Sequence, residues 1–159
     1  MEEKALQETK RCALAKKCGG CQLMCLSYSQ QLEFKRQAVK DALLRLGGID
    51  TQPDIIGMKE PFRYRNKMIF PIDKSGNWGF YRERSHDVIP LKDCLLGDEI
   101  NSKIMNAISD YARKYNVSVY DEASHKGIIR RGFIRSAEDE IMVVISANAD
   151  SLPNKDALI

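Results

Sequence analysis

Four of the five cysteines lie in RCALAKKCGGCQLMC, residues 11 to 25, and the fifth, Cys94, stands alone in PLKDCLLGDEIN. Cys12, Cys18 and Cys21 are spaced C-x5-C-x2-C. Thiolates this close in sequence can share one metal centre, and the two glycines between Cys18 and Cys21 let the backbone wrap tightly around it. Structural zinc usually takes two ligand pairs from two knuckles, and only one such pair is present. Three clustered thiols with a remote fourth match an iron–sulfur spacing, C-x4-C-x2-C plus a distant cysteine, with one residue more in the first gap. Cys94 is the natural fourth ligand. Structural zinc and inert buried thiols are the alternatives. Cys25, just ahead of a helix, reads as a small buried apolar side chain.

A second constellation is cationic and aromatic. In FRYRNKMIF, the period of a strand places Arg63, Arg65 and Lys67 on one face, roughly 6.8 Å apart, a repeat suited to an extended phosphate backbone. Tyr64, Asn66, Met68 and Phe70 take the other face, where Asn66 would need hydrogen-bond partners. GFYRER adds Tyr81, Arg82 and Arg84, and IIRRGFIR adds Arg130, Arg131 and Arg135 around Phe133. Rings between cations suit single-stranded RNA, whose bases stack on rings while arginines hold phosphates. The candidate RNA contacts are Arg63, Arg65, Lys67, Tyr81, Arg82, Arg131, Phe133 and Arg135; a solvated outer sheet face is the alternative. His86 and Asp87 are strand neighbours pointing to opposite faces, so His86 reads as structural or RNA-contacting and not as half of an acid–base pair. His125 reads as solvated.

The elements that must position these residues form an α+β pattern with a mainly antiparallel sheet, packed helices and the N-terminal cysteine loop. SYSQQLEFKRQAVKDALLRLGG predicts a helix with Leu32, Val39, Leu43 and Leu46 as its stripe, a Ser27/Gln30 capping box and a Gly47-Gly48 stop. PFRYRNKMIFPID and WGFYRERSHDVIP flank DKSGN as a hairpin. A second helix follows in DEINSKIMNAISDYARKY, with Ile100, Ile104, Ile108 and Tyr111 facing inward and Asp98 and Glu99 at its N-terminus. KGIIRRGFIRS and EIMVVISANA form a second hairpin, whose last strand is apolar enough for mid-sheet. DSLPNKDALI reads as the start of a helix and predicts a truncated chain.

The 159 residues carry a formal charge of +3, which permits a nucleic-acid partner without requiring one. MEEKALQETKR lacks the apolar stretch of a signal peptide, no apolar run reaches membrane-spanning length, and the cysteine count is odd. A cytoplasmic protein with reduced thiols and no membrane partner is expected.

Together, C-x5-CGGCQLxxLSYxxQLxxK, PFRYRNK, GFYRERSHDVIPLKDCLL and GIIRRGFIR closely resemble the RumA-like RNA (uracil-5-)-methyltransferases, over nearly the whole chain. The resemblance implies a 4Fe-4S cluster on Cys12, Cys18, Cys21 and Cys94, and an RNA substrate, rRNA in the first instance, for an S-adenosylmethionine-dependent parent enzyme. It implies a division into a cluster-binding segment, residues 1–26, and a central RNA-binding domain, residues 27–159, acting as a monomer. The family commonly has His where Cys25 stands. Its catalytic nucleophile, a cysteine, and its cofactor site belong to a Rossmann-like C-terminal domain. No glycine-rich strand-to-helix turn and no cysteine after Cys94 is found here. No catalytic residue and no methyl transfer are therefore expected of this chain alone. A zinc-binding nucleic-acid module and a free-standing iron–sulfur electron carrier are the rival readings.

Overall fold

A computed structural model describes residues 12–158. By packing they fall into two compact units, one drawn from residues 12–16 and Cys21–Pro61, the other from Lys17–Gly20 and residues 62–158.

The first unit is built on helix α1, Tyr28–Gly47. The capping box forms as its sequence predicts: Gln30 N–H donates to Ser27 Oγ at 3.3 Å, and Ser27 N–H donates to Gln30 Oε1 at 2.9 Å. Gly48 ends the helix in the left-handed conformation, φ 64°, where a Cβ is disfavoured. None of its residues is buried, and Val39 and Leu46 of the expected stripe are exposed. The Tyr28 hydroxyl accepts from Met58 N–H at 2.7 Å and ties the trailing segment to the first turn.

The second unit holds the core. Strands β1 (Lys67–Pro71), β4 (Ile129–Ala137) and β5 (Glu140–Ala147) make an antiparallel sheet of order β1-β4-β5. Strands β2 (Gly79–Tyr81) and β3 (Val88–Pro90) make a second antiparallel pair. The DKSGN turn closes as expected, its Asp73 Oδ1 accepting from Ser75 and Asn77 N–H at 2.8 Å each. Only one bridge, Ile72 to Trp78, joins the two arms before they diverge into different sheets. That divergence corrects the simple hairpin expected there.

Helix α2, Ile100–Lys114, lies on one face of the larger sheet. Met105, Ile108, Tyr111 and Ala112 are buried with Met68, Phe70, Ile129 and Ile134, while Ile100 and Ile104 are half-buried. Gly132 lets the helix approach, since a Cβ there would collide with Met105 Sδ. Asp98 accepts from Ile100 N–H at 2.9 Å, the N-terminal role expected of it. The chain end makes a 3-10 turn, Lys155–Leu158, with Leu152 and Leu158 packed on the core.

One expectation is overturned in the sheet. The apolar β5 lies at an edge and not mid-sheet, and Ile141, Met142, Val143 and Val144 are all exposed. β4 occupies the centre. Among the described residues, no helix is long and apolar enough to cross a membrane.

Candidate nucleic-acid interface and cysteine sites

The face of the larger sheet turned away from α2 is built by register. Lys67 stands opposite Arg135 and Ile69 opposite Phe133 across β1 and β4; Arg135 stands opposite Met142 and Phe133 opposite Val144 across β4 and β5. Directly opposed residues share a face, so these six side chains form one surface. Lys67 Nζ lies 5.5 Å from the centroid of the Phe133 ring. Like charges directly opposed destabilise a sheet. Yet among the described residues neither Lys67 nor Arg135 has a carboxylate within ion-pair distance. Two uncompensated cations beside an aromatic ring can accept an anion between them.

Arg131 continues this face toward a β-bulge. Ile129 opposes Ala147 and Arg131 opposes Ser146, so Arg130 is the extra residue on β4. A bulge re-aims side chains, and here two arginines converge on one carboxylate. Arg130 Nη2 donates to Glu122 Oε1 at 3.0 Å, and Arg131 Nη2 lies 3.9 Å from the same oxygen. The hydrogen bond from Arg130, helped by the charges of Arg130, Arg131 and His86, holds the Glu122 carboxyl below the usual carboxylate range. The Arg130 guanidinium also stacks 4.2 Å from the Tyr120 ring centroid. Arg130 was not among the expected contacts; the doubled arginine beside Ile129 was the available signal. Next to this corner, Tyr81 meets His86 edge-on at 5.3 Å, and Arg82 Nε lies 3.8 Å from Asp87.

The expected row Arg63, Arg65 and Lys67 does not lie on one strand face. β1 begins only at Lys67, and Arg63 has a left-handed backbone, φ 54°. Its guanidinium turns inward: Nη1 donates to Asp93 Oδ1 at 2.9 Å and to the Cys94 and Gly97 carbonyls at 2.8 Å each, and Nη2 donates to Asp93 Oδ2 at 2.6 Å. The pairing with Asp93 raises the Arg63 pKa and lowers that of Asp93. Arg65 N–H donates to the Leu96 carbonyl at 2.8 Å, and its Nη1 reaches the Gly20 carbonyl at 3.4 Å. Both arginines thus organise the loop around Cys94. Asn66, expected on the apolar face, is exposed, and its carbonyl accepts from Ser136 N–H at 2.9 Å. His125 is exposed as expected, within 3.1 Å of the Tyr120 hydroxyl.

Cys94 is half-buried against the core. The Cys18–Gly19–Gly20 segment lies along β2: Cys18 bridges Arg82, and Gly19 N–H donates to the Tyr81 carbonyl at 2.9 Å. A Cβ on Gly19 would stand 2.7 Å from that carbonyl oxygen, so glycine is required for this approach. Gly20 N–H points at Cys18 Sγ, 3.4 Å away. Cys12 and Cys21 are half-buried. Cys25 is exposed, which overturns the reading of a buried side chain. Thiols with glycine-permitted backbone donors suit a soft metal centre. Among the described residues, however, no three His, Cys, Asp or Glu side chains are gathered to hold a metal ion.

No family model matches the chain. It is 49% identical over 154 residues to an uncharacterized RNA methyltransferase of Clostridium tetani, with 93% of this chain and 34% of that protein covered. Similar proteins of Clostridium acetobutylicum (39%) and Halalkalibacterium halodurans (40%), both named uncharacterized RNA methyltransferases, match over 93% of this chain and 34% of their own length. The resemblance to RNA methyltransferases is real. The chain spans about a third of the length of these relatives. The fold is also that of part of a Pyrococcus abyssi tRNA (uracil-54, C5)-methyltransferase, solved with S-adenosyl-L-homocysteine. That match has a TM-score of 0.73 at 24% identity, over 95% of this chain and 36% of the other.

Proposed function

We propose that this chain is the RNA-docking and iron–sulfur-holding part of a cytoplasmic, S-adenosylmethionine-dependent RNA (uracil-C5-)-methyltransferase, monomeric and acting on rRNA. The observation that carries the RNA reading is the uncompensated pair Lys67 and Arg135 beside Phe133 on an open sheet face. A phosphate between the two cations relieves their repulsion, and Phe133 offers a stacking platform for the adjoining base. Arg131 extends the phosphate track, with Tyr81 and Arg82 at its far end. Arg63 and Arg65 serve the site indirectly, by fixing the Cys94 loop.

The functional division follows the cysteines. Residues 1–26 supply Cys12, Cys18 and Cys21, residues 27–159 supply Cys94 and the RNA surface, and the cluster is 4Fe-4S. Support comes from the three-plus-one spacing and from the Gly20 N–H directed at Cys18 Sγ. When bound, such a cluster ties distant parts of the chain together. The cofactor S-adenosylmethionine belongs to the parent enzyme and not to this chain.

The RNA reading is tested by the salt dependence of single-stranded RNA binding. Replacing Lys67, Arg131 and Arg135 together with Gln should flatten the log–log slope by about two units, at about 0.7 per phosphate contact. An unchanged slope in a folded variant refutes the surface. Cluster binding is tested on anaerobically prepared protein: iron with acid-labile sulfide supports it, and stoichiometric zinc without sulfide replaces it with the zinc reading.

A further inference from the structure

Beside the bulge lies a cleft of about 750 Å³, within the roughly 300–1,000 Å³ of small-molecule sites. Tyr81, His86 and Tyr120 supply rings to its wall, Asp73, Asp87, Asp121 and Glu122 supply carboxylates, and Lys74 supplies one cation. Three of these carboxylates are engaged, Asp73 by the Ser75 and Asn77 N–H groups of its own turn. Asp121 accepts from Ser124 Oγ at 2.8 Å and pairs with Lys74 at 3.1 Å, and Glu122 is held by Arg130. Asp87 keeps most of its acceptor capacity, since its side chain is 76% exposed and its one ion pair, with Arg82, is 3.8 Å long.

With four carboxylates against one lysine, itself paired with Asp121, this lining is net acidic; it repels phosphate and favours hydrogen-bond donors. Its mouth does the opposite, because Arg130 and Arg131 meet at Glu122 on the cleft wall, at the end of the sheet face that carries Phe133 and Arg135. A strand lying on that face would keep its phosphates on the arginines and could turn one base into the cleft, between rings and against carboxylates. The exocyclic amino groups of adenine and cytosine donate to carboxylates, as does that of guanine. Uracil carries no amino group, and its single N3–H donor is flanked by two carbonyl oxygens that carboxylates repel.

We infer that the cleft bounded by Tyr81, His86, Asp87, Tyr120 and Glu122 is a docking site for one unpaired, amino-bearing nucleobase, and that it rejects uracil. This inference rests on the RNA reading above. It assigns the cleft to a neighbour of the modified uridine and not to the uridine itself. Specificity then comes in part from this chain, because a target site would need an amino-bearing base at a fixed distance from the uridine.

The test is fluorescence anisotropy with labelled hexaribonucleotides of adenine, cytosine and uracil at one salt concentration, on the unaltered chain and on Asp87→Asn and His86→Ala/Tyr120→Leu variants confirmed folded by circular dichroism. The inference expects the adenine and cytosine oligomers to bind about fivefold or more tighter than uracil, the lower end of discrimination by a well-formed base contact. It expects that ratio to fall toward one in both variants, while salt-dependent binding to all three oligomers persists. Equal affinities in the unaltered chain, or a ratio that survives both variants, overturn the inference and leave the RNA reading standing. Absence of salt-dependent binding to any of the three oligomers overturns both.

Discussion

Arg63 and Arg135 are the same residue type, each beside an aromatic-rich stretch, and the fold uses them in opposite ways. Arg63 sits at a left-handed backbone position that swings its guanidinium into the Asp93–Gly97 loop, where it makes four hydrogen bonds. Arg135 sits in regular β4, directly opposite a second cation. One is a structural clamp and the other is an open charge. The difference lies in the backbone: a residue with φ near 54° does not obey the two-residue alternation of a strand, so sequence spacing misplaces its side chain.

Stability separates the two arginines most visibly. Arg63→Ala leaves the Asp93 carboxylate and two carbonyls without their charged donor and should destabilise the chain by about 2 kcal/mol, the scale of hydrogen bonds to charged groups. Arg135→Gln should change stability by less than ~0.5 kcal/mol, as exposed positions usually do. Urea midpoints of the two variants measure this, and equal losses would erase the distinction between clamp and open charge.

A middle-sized effect concerns the cysteines. If Cys94 ligates a cluster through the loop that Arg63 holds, Cys94→Ser should lose iron and lower the melting temperature, whereas Cys25→Ser, at an exposed position, should retain both. Metal analysis with thermal melts of the two variants checks this. Equal iron loss would show that the ligand set is assigned wrongly.

Smaller again is the effect of Glu122, which ties up Arg130 at 3.0 Å and only approaches Arg131, at 3.9 Å. Glu122→Gln should strengthen single-stranded RNA binding a few-fold at low salt and steepen its salt slope by up to about 0.7, the contribution of the one arginine, Arg130, that it releases. Acid should act in the same direction. The Glu122 carboxyl is held below its ordinary value mainly by the Arg130 hydrogen bond, so this interaction contributes stability fully above the unfolded pKa near 4.3 and loses it as pH falls through the lower folded value. An NMR titration of the Glu122 side chain should give a midpoint below about 4.3, moving back toward that value in Arg130→Gln. A midpoint at the ordinary value would remove Glu122 as the brake on the arginines.

Much of this architecture is legible in the sequence because local chemistry dictates it. Ser27 with Gln30 and the glycines at 47 and 48 mark both ends of α1, and the spacing of Ile108 and Tyr111 marks the buried side of α2. Side-chain alternation along β4 likewise places Arg131, Phe133 and Arg135 together. What escapes is non-local. Exposed Val39 and Leu46 satisfy helical periodicity without a buried partner in the described residues, and the apolar run of β5 says nothing about where a sheet ends. The bulge at Arg130 depends on pairing with β5, so its convergence with Arg131 on Glu122 has no short-range signature beyond two adjacent arginines. The cleft requires three separate segments to meet, and no spacing rule anticipates that.

Whether RNA lies on the open face of β1, β4 and β5 is decided by photo-crosslinking the chain to a single-stranded oligoribonucleotide and mapping the adducts by mass spectrometry. The account predicts adducts on the β4 peptide containing Phe133 and on the β2 peptide containing Tyr81, both suppressed when Lys67 and Arg135 are changed to Gln. Adducts confined to α1, with β4 unmodified and insensitive to those substitutions, would contradict it.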